Sequence, residues 1–219
     1  MKIVAILSGG MDSSTMVAKL KAEGHDIHCL TFDYQQRHIR EIKSASAIAN
    51  YFNLPHIVTD IPGLLLSGSA ITSNNIDVPE GHYADENMKA TVVPNRNMIL
   101  LSLAIGYAIS INAEAVAYGA HGGDHDIYPD CRKEFVDAMR EVAKLCDYKP
   151  MEILTPYIDT DKIGILKEGL ELGVPYELTW TCYKGLKKAC GKCGSCVERL
   201  EAFEKNNVKD PLSYEGEEE

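Results

Sequence analysis

The chain has 219 residues, 45% of them hydrophobic, enough for one domain with an appendage and a substantial core. Its formal net charge of −10 argues against a broad Lys/Arg surface gripping nucleic acid, leaving room only for a local basic patch. Lys2 leads into an apolar run without a cleavage site, and the apolar stretch Met98 to Ile109 is too short for a bilayer. Seven cysteines without a secretion signal fit a reducing cytoplasm, so a cytoplasmic protein with no membrane contact is expected.

The continuous apolar run Ile3 to Leu7 predicts a strand buried on both faces of a parallel sheet. It stops at Ser8-Gly9-Gly10, and a helical pattern follows from about Ser13, with Met16, Val17 and Leu20 on one side. A strand, a glycine turn and a helix N-terminus together predict an anion site. The glycines allow close backbone approach, free N–H groups point at the ligand, and the helix dipole favours negative charge. Ser8, Ser13, Ser14 and Thr15 add hydroxyl donors, and Asp12 offers a carboxylate to a nucleotide-borne magnesium ion. No Gly-Lys-Ser/Thr follows the glycines, so this is not a Walker A loop.

Ile27 to Phe32 reads as a second strand, and Ile39, Ile42, Ala45, Ala49 and Phe52 mark an amphipathic helix after it. His56 to Thr59 is a short third strand. This alternation implies a parallel sheet with right-handed crossovers. Residues 61 to 92 are polar and glycine-bearing, which predicts a functional flap or a partly disordered loop. Val93-Pro94-Asn95-Arg96-Asn97 opens a helix to about Ile111, and Ala113 to Tyr118 is a fourth strand.

The segment His121 to Arg132 falls at the carboxyl end of that strand, where open α/β sheets bind ligands. His121, Asp124, His125 and Asp126 invite a metal-site reading, which the flexible Gly122-Gly123 pair weakens. Phe135, Met139, Val142 and Cys146 predict a helix with Cys146 as a buried core thiol; Cys29 reads the same way within its strand. Ile153 to Pro156 gives a fifth strand, and Asp161 to Leu172 an amphipathic helix with Thr160 as its cap. The expected fold is α/β: a doubly wound, Rossmann-like parallel five-stranded sheet over residues 1–175, a small C-terminal metal-binding appendage over 176–210, and an unstructured acidic tail over 211–219.

Cys182, Cys190, Cys193 and Cys196 carry the second signal, the last three spaced as Cys-Gly-Lys-Cys-Gly-Ser-Cys. Two-residue gaps let consecutive thiolates turn towards one ion, and four cysteines with no histidine fit a closed tetrahedral zinc site. An iron–sulfur cluster is the main rival for this spacing. Zinc is preferred because nucleotide phosphate chemistry at the Ser8-Gly9-Gly10 turn would move no electron, and its role is then structural.

Ser8-Gly9-Gly10-Met11-Asp12-Ser13 resembles the pyrophosphate loop of ATP pyrophosphatases, enzymes that transfer AMP to a substrate oxygen. Phe32-Asp33-Tyr34-Gln35-Gln36-Arg37-His38, Val93 to Asn97, Tyr128-Pro129-Asp130-Cys131-Arg132 and Thr181-Cys182-Tyr183 then resemble, in order, the motifs of the 7-cyano-7-deazaguanine synthase family, from about residue 2 to 205. The resemblance implies the adenine nucleotide alpha hydrolase-like variant of the fold. It also implies ATP-dependent formation of a nitrile from 7-carboxy-7-deazaguanine and ammonia, on the route to queuosine or archaeosine. ATP, Mg2+ and structural Zn2+ are the implied cofactors, a homodimer the implied assembly, and direct nucleic-acid contact is not expected.

For this chain the resemblance implies nucleotide binding along Leu7, Ser8, Gly9, Gly10, Met11, Asp12, Ser13, Ser14, Thr15, Met16 and Val17, with Asp33 and Tyr34 near adenosine. Asp12, Arg96, Asp130 and Arg132 are the expected catalytic residues: Arg96 on phosphate or carboxylate, Asp130 on the guanine-like edge, Arg132 holding Asp130 or a carboxylate. Cys131 receives no catalytic role, because adenylation needs no thiol nucleophile. Gln35 stands where the family usually has Gly, Asn95 replaces a small residue, and the Cys182–Cys190 gap is one residue short, which suggests a divergent branch or an archaeal-type one. A tRNA-thiolating ATP pyrophosphatase, or a ligase acting on another carboxylate, is the alternative.

Overall fold

The computed structural model describes residues 1–82, 86–124 and 127–216. The strands are β1 (Lys2–Ile6), β2 (Asp26–Asp33), β3 (His56–Asp60), β4 (Ala115–Ala117) and β5 (Glu152–Leu154). The α-helices among the described residues are α1 (Met11–Ala22), α2 (Arg40–Tyr51), α3 (Arg96–Ser110), α4 (Lys133–Ala143), α5 (Lys162–Glu171) and α6 (Gly194–Lys205). All strands run parallel in the order β3-β2-β1-β4-β5. The doubly wound expectation is met. β1 is central, with Ile3, Val4 and Ala5 fully buried.

Alternation along β1 divides the core into two layers. Val4, with Leu30, Val116 and Ile153, faces α3 and α4 through Leu101, Ala104, Ile105, Val136 and Met139. Ile3 and Ala5 face α1, α2, α5 and α6 through Val17, Ile48, Ile165, Leu166 and Phe203. Each fully buried aliphatic side chain contributes about 1.5–3 kcal/mol. The strand order reverses between β2-β1 and β4-β5, which opens a crevice at the carboxyl ends of β1 and β4.

Several expectations need correction. Helix α4 buries Val136, Met139 and Ala143, a stripe rotated from the one expected, and it ends before Cys146. Cys146 is therefore exposed, its thiol donating to the Val142 carbonyl at 3.3 Å. Asp161, not Thr160, caps α5 by accepting from the Gly164 N–H at 2.8 Å. The described part of residues 61–92 is no free flap, since Leu66, Ile71 and Met88 join the core under α3. Residues 87–110 are apolar enough in composition for a membrane span, but helix geometry breaks at Val92–Asn95 and α3 itself has 15 residues.

The C-terminal region is tied to the main body. Ala202 and Phe203 of α6 belong to the same core as β1. Buried Arg199 donates to the Asp210 carboxylate at 2.7 and 3.0 Å. Tyr214 is buried and donates to Asp210 at 2.6 Å, so residues 211–216 are docked rather than loose. The remainder of the expected tail, 217–219, lies outside the described residues.

Candidate active site

The turn after β1 is shaped from below by α2. Gly9 has φ +86°, and a Cβ there would lie 2.2 Å from the Glu41 carbonyl oxygen and 2.5 Å from the Ala45 nitrogen. Only glycine fits. Gly10 is the N-cap of α1 and supplies no side-chain cap, so the helix N-terminus presents its N–H groups and dipole to the crevice. Ser8 and Ser13 fix the turn through a 3.0 Å hydroxyl contact, and the Ser13 hydroxyl accepts from the Ser8 N–H at 3.2 Å.

Leu7, Ser8, Gly10, Met11, Asp12 and Ser13 line an open cleft. Gly9 supplies backbone beneath it. The other expected nucleotide-binding residues face inward: the Ser14 hydroxyl donates to the Gly10 carbonyl at 2.7 Å, Thr15 meets the Tyr176 hydroxyl at 2.7 Å, and Met16 and Val17 are fully buried.

Asp12 Oδ1 is buried and has no hydrogen-bond partner, while Oδ2 lies 3.5 Å from Lys162 Nζ and 3.7 Å from His121 Nε2. Burial pushes the Asp12 carboxyl up, but Lys162 and His121 more than offset this and hold it below its usual range. An ionised carboxylate with one orphaned buried oxygen, beside a phosphate-type turn, fits a divalent cation. His121 Nδ1 accepts from the Gly123 N–H at 3.2 Å, which leaves Nε2 to carry the proton facing Asp12. The metal reading that combined His121 with Asp124, His125 and Asp126 rests partly on residues 125–126, outside the described residues.

Arg96, in the first turn of α3, lines the opposite wall. Burial opposes its charge, but Tyr34, Tyr183, Cys131 and Asp130 around it keep the guanidinium firmly protonated. Tyr34 lines the cleft with Arg96; burial raises its phenol to about 12 although the Arg96 charge pulls the other way. Asn95, before Arg96, is left-handed (φ 59°), as is Gln35 (φ 60°) beside Tyr34. Two of the departures from the family pattern thus fall at positions with left-handed backbone, which Asn tolerates and Gly adopts freely.

Asp130 and Arg132 lie outside the cleft lining. Asp130 Oδ2 accepts from the Asn97 N–H at 2.9 Å and so caps α3, while the Asn97 side chain returns to the Asp130 carbonyl at 3.0 Å. Arg132 is exposed at the start of α4. Asp33 accepts from the Gln35 N–H at 2.9 Å. Sequence reasoning missed Lys162, a cleft lysine 150 residues from Asp12 in the chain. Its only local sign is its place at the start of an amphipathic helix.

The cysteine segment forms another wall of the same cleft. Trp180, Thr181, Tyr183 and Ser195 line it, and the Trp180 N–H donates to the Gly9 carbonyl at 2.9 Å. The Arg40 guanidinium stacks 4.0 Å from the centre of the Trp180 ring. Cys182, Cys190, Cys193 and Cys196 are buried, with all four sulfurs within 4.8 Å of one another. The Cys190–Cys196 sulfur separation is 3.9 Å; two sulfurs about 2.3 Å from one tetrahedral ion stand about 3.8 Å apart. The spacing fits a single ion better than a cluster interposing several metal atoms.

Backbone N–H groups of Lys192 and Cys193 donate to Cys190 Sγ at 3.4 and 3.3 Å, and that of Cys190 to Cys182 Sγ at 3.3 Å. Hydrogen bonding from Cys182 lowers the Cys190 thiol strongly and brings Cys193 to about 6, while Cys182 and Cys196 are driven up by the same neighbours. The four thiols share negative charge that a cation would neutralise.

Comparison with known proteins extends this description. The family model for "Queuosine biosynthesis protein QueC" matches residues 2–207. A Hahella chejuensis protein named 7-cyano-7-deazaguanine synthase is 59% identical over 98% of this chain and 93% of its own length. The synthase of the same name from Pseudoalteromonas translucida is 55% identical over 98% of this chain and 99% of its own. At that identity the motif departures do not make the chain a remote branch. The U34-tRNA thiolase NcsA of Methanococcus maripaludis, solved with its [4Fe-4S] cluster, superposes with TM-score 0.51 at 16% identity, covering 94% of this chain and 67% of its own. That likeness concerns the fold alone.

Proposed function

The chain belongs to the QueC family of queuosine biosynthesis proteins, and from that premise we propose that it converts 7-carboxy-7-deazaguanine and ammonia into 7-cyano-7-deazaguanine at the expense of ATP. One observation carries the chemistry: a single cleft joins an uncapped helix N-terminus, an ionised Asp12 with an orphaned oxygen, and the half-buried, protonated Arg96 guanidinium. The names of the relatives give the nitrile product, and the acid is the carboxylate from which that nitrile would be made.

A carboxylate resists ammonia because its leaving group would be oxide. Attack of its oxygen on the α-phosphorus of ATP forms a C–O–P linkage and breaks the bond to pyrophosphate. Ammonia then displaces AMP and gives the amide. A second ATP adenylates the amide oxygen, and loss of AMP with the remaining N–H protons leaves the nitrile. The α1 N-terminus, with Ser8 and Ser13, binds the polyphosphate in both adenylations. Magnesium held at Asp12 would add charge neutralisation there. Arg96 receives the acid's carboxylate. Asp130 acts one step removed, by capping α3 and thereby aiming Arg96; Arg132 takes no step in this scheme.

The cysteine site is assigned to structural zinc, held by Cys182, Cys190, Cys193 and Cys196, whose chemistry is to cross-link the cleft wall. The enzyme acts on the free base in the cytoplasm, without tRNA contact. A homodimer is proposed because Met98 and Leu103 of α3 and Val142, Leu145 and Tyr148 at the end of α4 expose apolar surface above one face of the sheet.

The test is to incubate the purified chain with 7-carboxy-7-deazaguanine, ammonium and magnesium ATP, following product mass and AMP. Nitrile formation with two AMP per product is expected. Absence of both nitrile and acid-dependent AMP refutes the assignment. Asp12→Asn should lower AMP release at least about 100-fold with the fold intact.

A further inference from the structure

Three elements distant in sequence meet at the base of the cleft. Lys162 begins α5, Glu198 lies in the second turn of α6, and Asp12 in the first turn of α1. Lys162 Nζ is 2.8 Å from Glu198 Oε2 and 3.5 Å from Asp12 Oδ2, and its side chain is only 9% exposed. The backbone brings these groups together. Asp161 caps α5, the Gly122 N–H donates to the Thr160 carbonyl at 2.9 Å, and Lys19 of α1 pairs with Glu168 of α5 at 2.5 Å.

A buried ammonium placed between two carboxylates is held by Coulomb attraction rather than by its flexible stem. As an ion pair alone it would contribute little, because desolvation of both partners offsets the attraction. Lys162 nevertheless lines the cleft beside the phosphate turn. The P-loop lysine absent after Gly10 thus has a spatial counterpart from another part of the chain. Such a charge acts most strongly when negative charge develops on a departing group in a water-poor site.

We propose that Lys162 is a catalytic residue contacting the departing pyrophosphate, and that Glu198, by its ion pair with Lys162, is the positioning residue that aims it. This rests on the adenylation reading above. As the acid oxygen bonds to the α-phosphorus, the bond to the bridging oxygen breaks and its electron pair stays with pyrophosphate. Lys162 stabilises that charge without giving up its proton. Glu198 stands two residues beyond Cys196 in α6, so the cysteine site also anchors the residue that aims the lysine.

The experiment uses the full, metal-loaded chain with Lys162→Met, Lys162→Arg and Glu198→Gln. Steady-state AMP release gives kcat and KM for ATP, and calorimetry gives the affinity for magnesium pyrophosphate without the acid. Lys162→Met should lower kcat about 100-fold and weaken pyrophosphate at least about tenfold, with Lys162→Arg recovering part of the loss. Glu198→Gln should lower kcat about tenfold with little change in the KM for ATP. Wild-type kcat and pyrophosphate affinity in Lys162→Met, with only a lower melting temperature, would overturn the proposal. Should Lys162→Met not fold, unchanged kcat and pyrophosphate affinity in Glu198→Gln overturn it equally. Failure of the acid assignment reads differently: wild type then releases no AMP with that acid, while a Lys162-dependent pyrophosphate affinity still supports the lysine's role.

Discussion

The phosphate turn and the cysteine segment solve one physical problem by opposite means. Both place glycines beside a helix N-terminus and present backbone N–H groups, those of α1 to the cleft and those of Lys192 and Cys193, just before α6, to the Cys190 sulfur. The turn at Gly9 is braced from outside, by the α2 backbone beneath it and the fully buried side chains of Met16 and Val17 behind it. The cysteine segment has a small apolar cluster around Trp180, Val78 and Tyr214, and its four thiols crowd together without a hydrocarbon centre. A preorganised ligand site needs a rigid frame. The first region draws that frame from the core, whereas the second has four thiols placed to take it from an ion.

Metal removal should separate the two regions most sharply. Stripping the ion with a chelator, or Cys193→Ser, should release residues 180–196, abolish turnover because Trp180 to Ser195 wall the cleft, and lower the melting temperature by more than about 10 °C. Hydrogen exchange should rise around Cys190 to Cys196 while β1 stays protected. Equal deprotection of both regions would break the comparison.

Gly9→Ala attacks the braced region. The Cβ meets backbone, not a flexible side chain, so a loss of about 3–5 kcal/mol in urea unfolding is expected. Metal content should remain stoichiometric in whatever fraction folds.

Thiol chemistry offers a finer contrast. After metal removal, iodoacetamide at neutral pH should label the four cysteines of the released segment together with exposed Cys146. Cys29, in β2 beside the turn, should stay unlabelled because burial pushes it up to about 12. A thiol raised on folding contributes its stability below the unfolded value and loses it as pH rises through the folded one. Stability should therefore decline between about pH 9 and 12. The smallest effect is expected at Gln35, where Gly would remove left-handed strain and raise stability by about 1 kcal/mol.

Legibility in the sequence followed the same division. β1, the Ser8-Gly9-Gly10 turn and the four cysteines are local patterns whose chemistry depends on near neighbours, and they were readable. Lys162 and Glu198 were not, because their meeting depends on α5 packing against α1 and α6, which no local spacing reports. The family motif assigns Asp130 to the guanine-like edge, whereas its Oδ2 accepts from the Asn97 N–H, a tertiary cap with no sequence signature. Cys146 misled because helical periodicity cannot say where a helix stops, and α4 turns Val136 and Ala143, not Val142, to the core.

The strand order carries a consequence for synthesis. β1 is made first yet lies third in the sheet, with β4 as one of its two neighbours. As the chain leaves the ribosome, β1 can pair with β2 at once, but its other edge stays open until residues 115–117 emerge. The cleft closes later still, when Lys162 and then the segment from Trp180 to Glu198 arrive. The nascent enzyme thus carries an unguarded apolar strand for half its length, and the residues that finish its oldest turn are among the last translated.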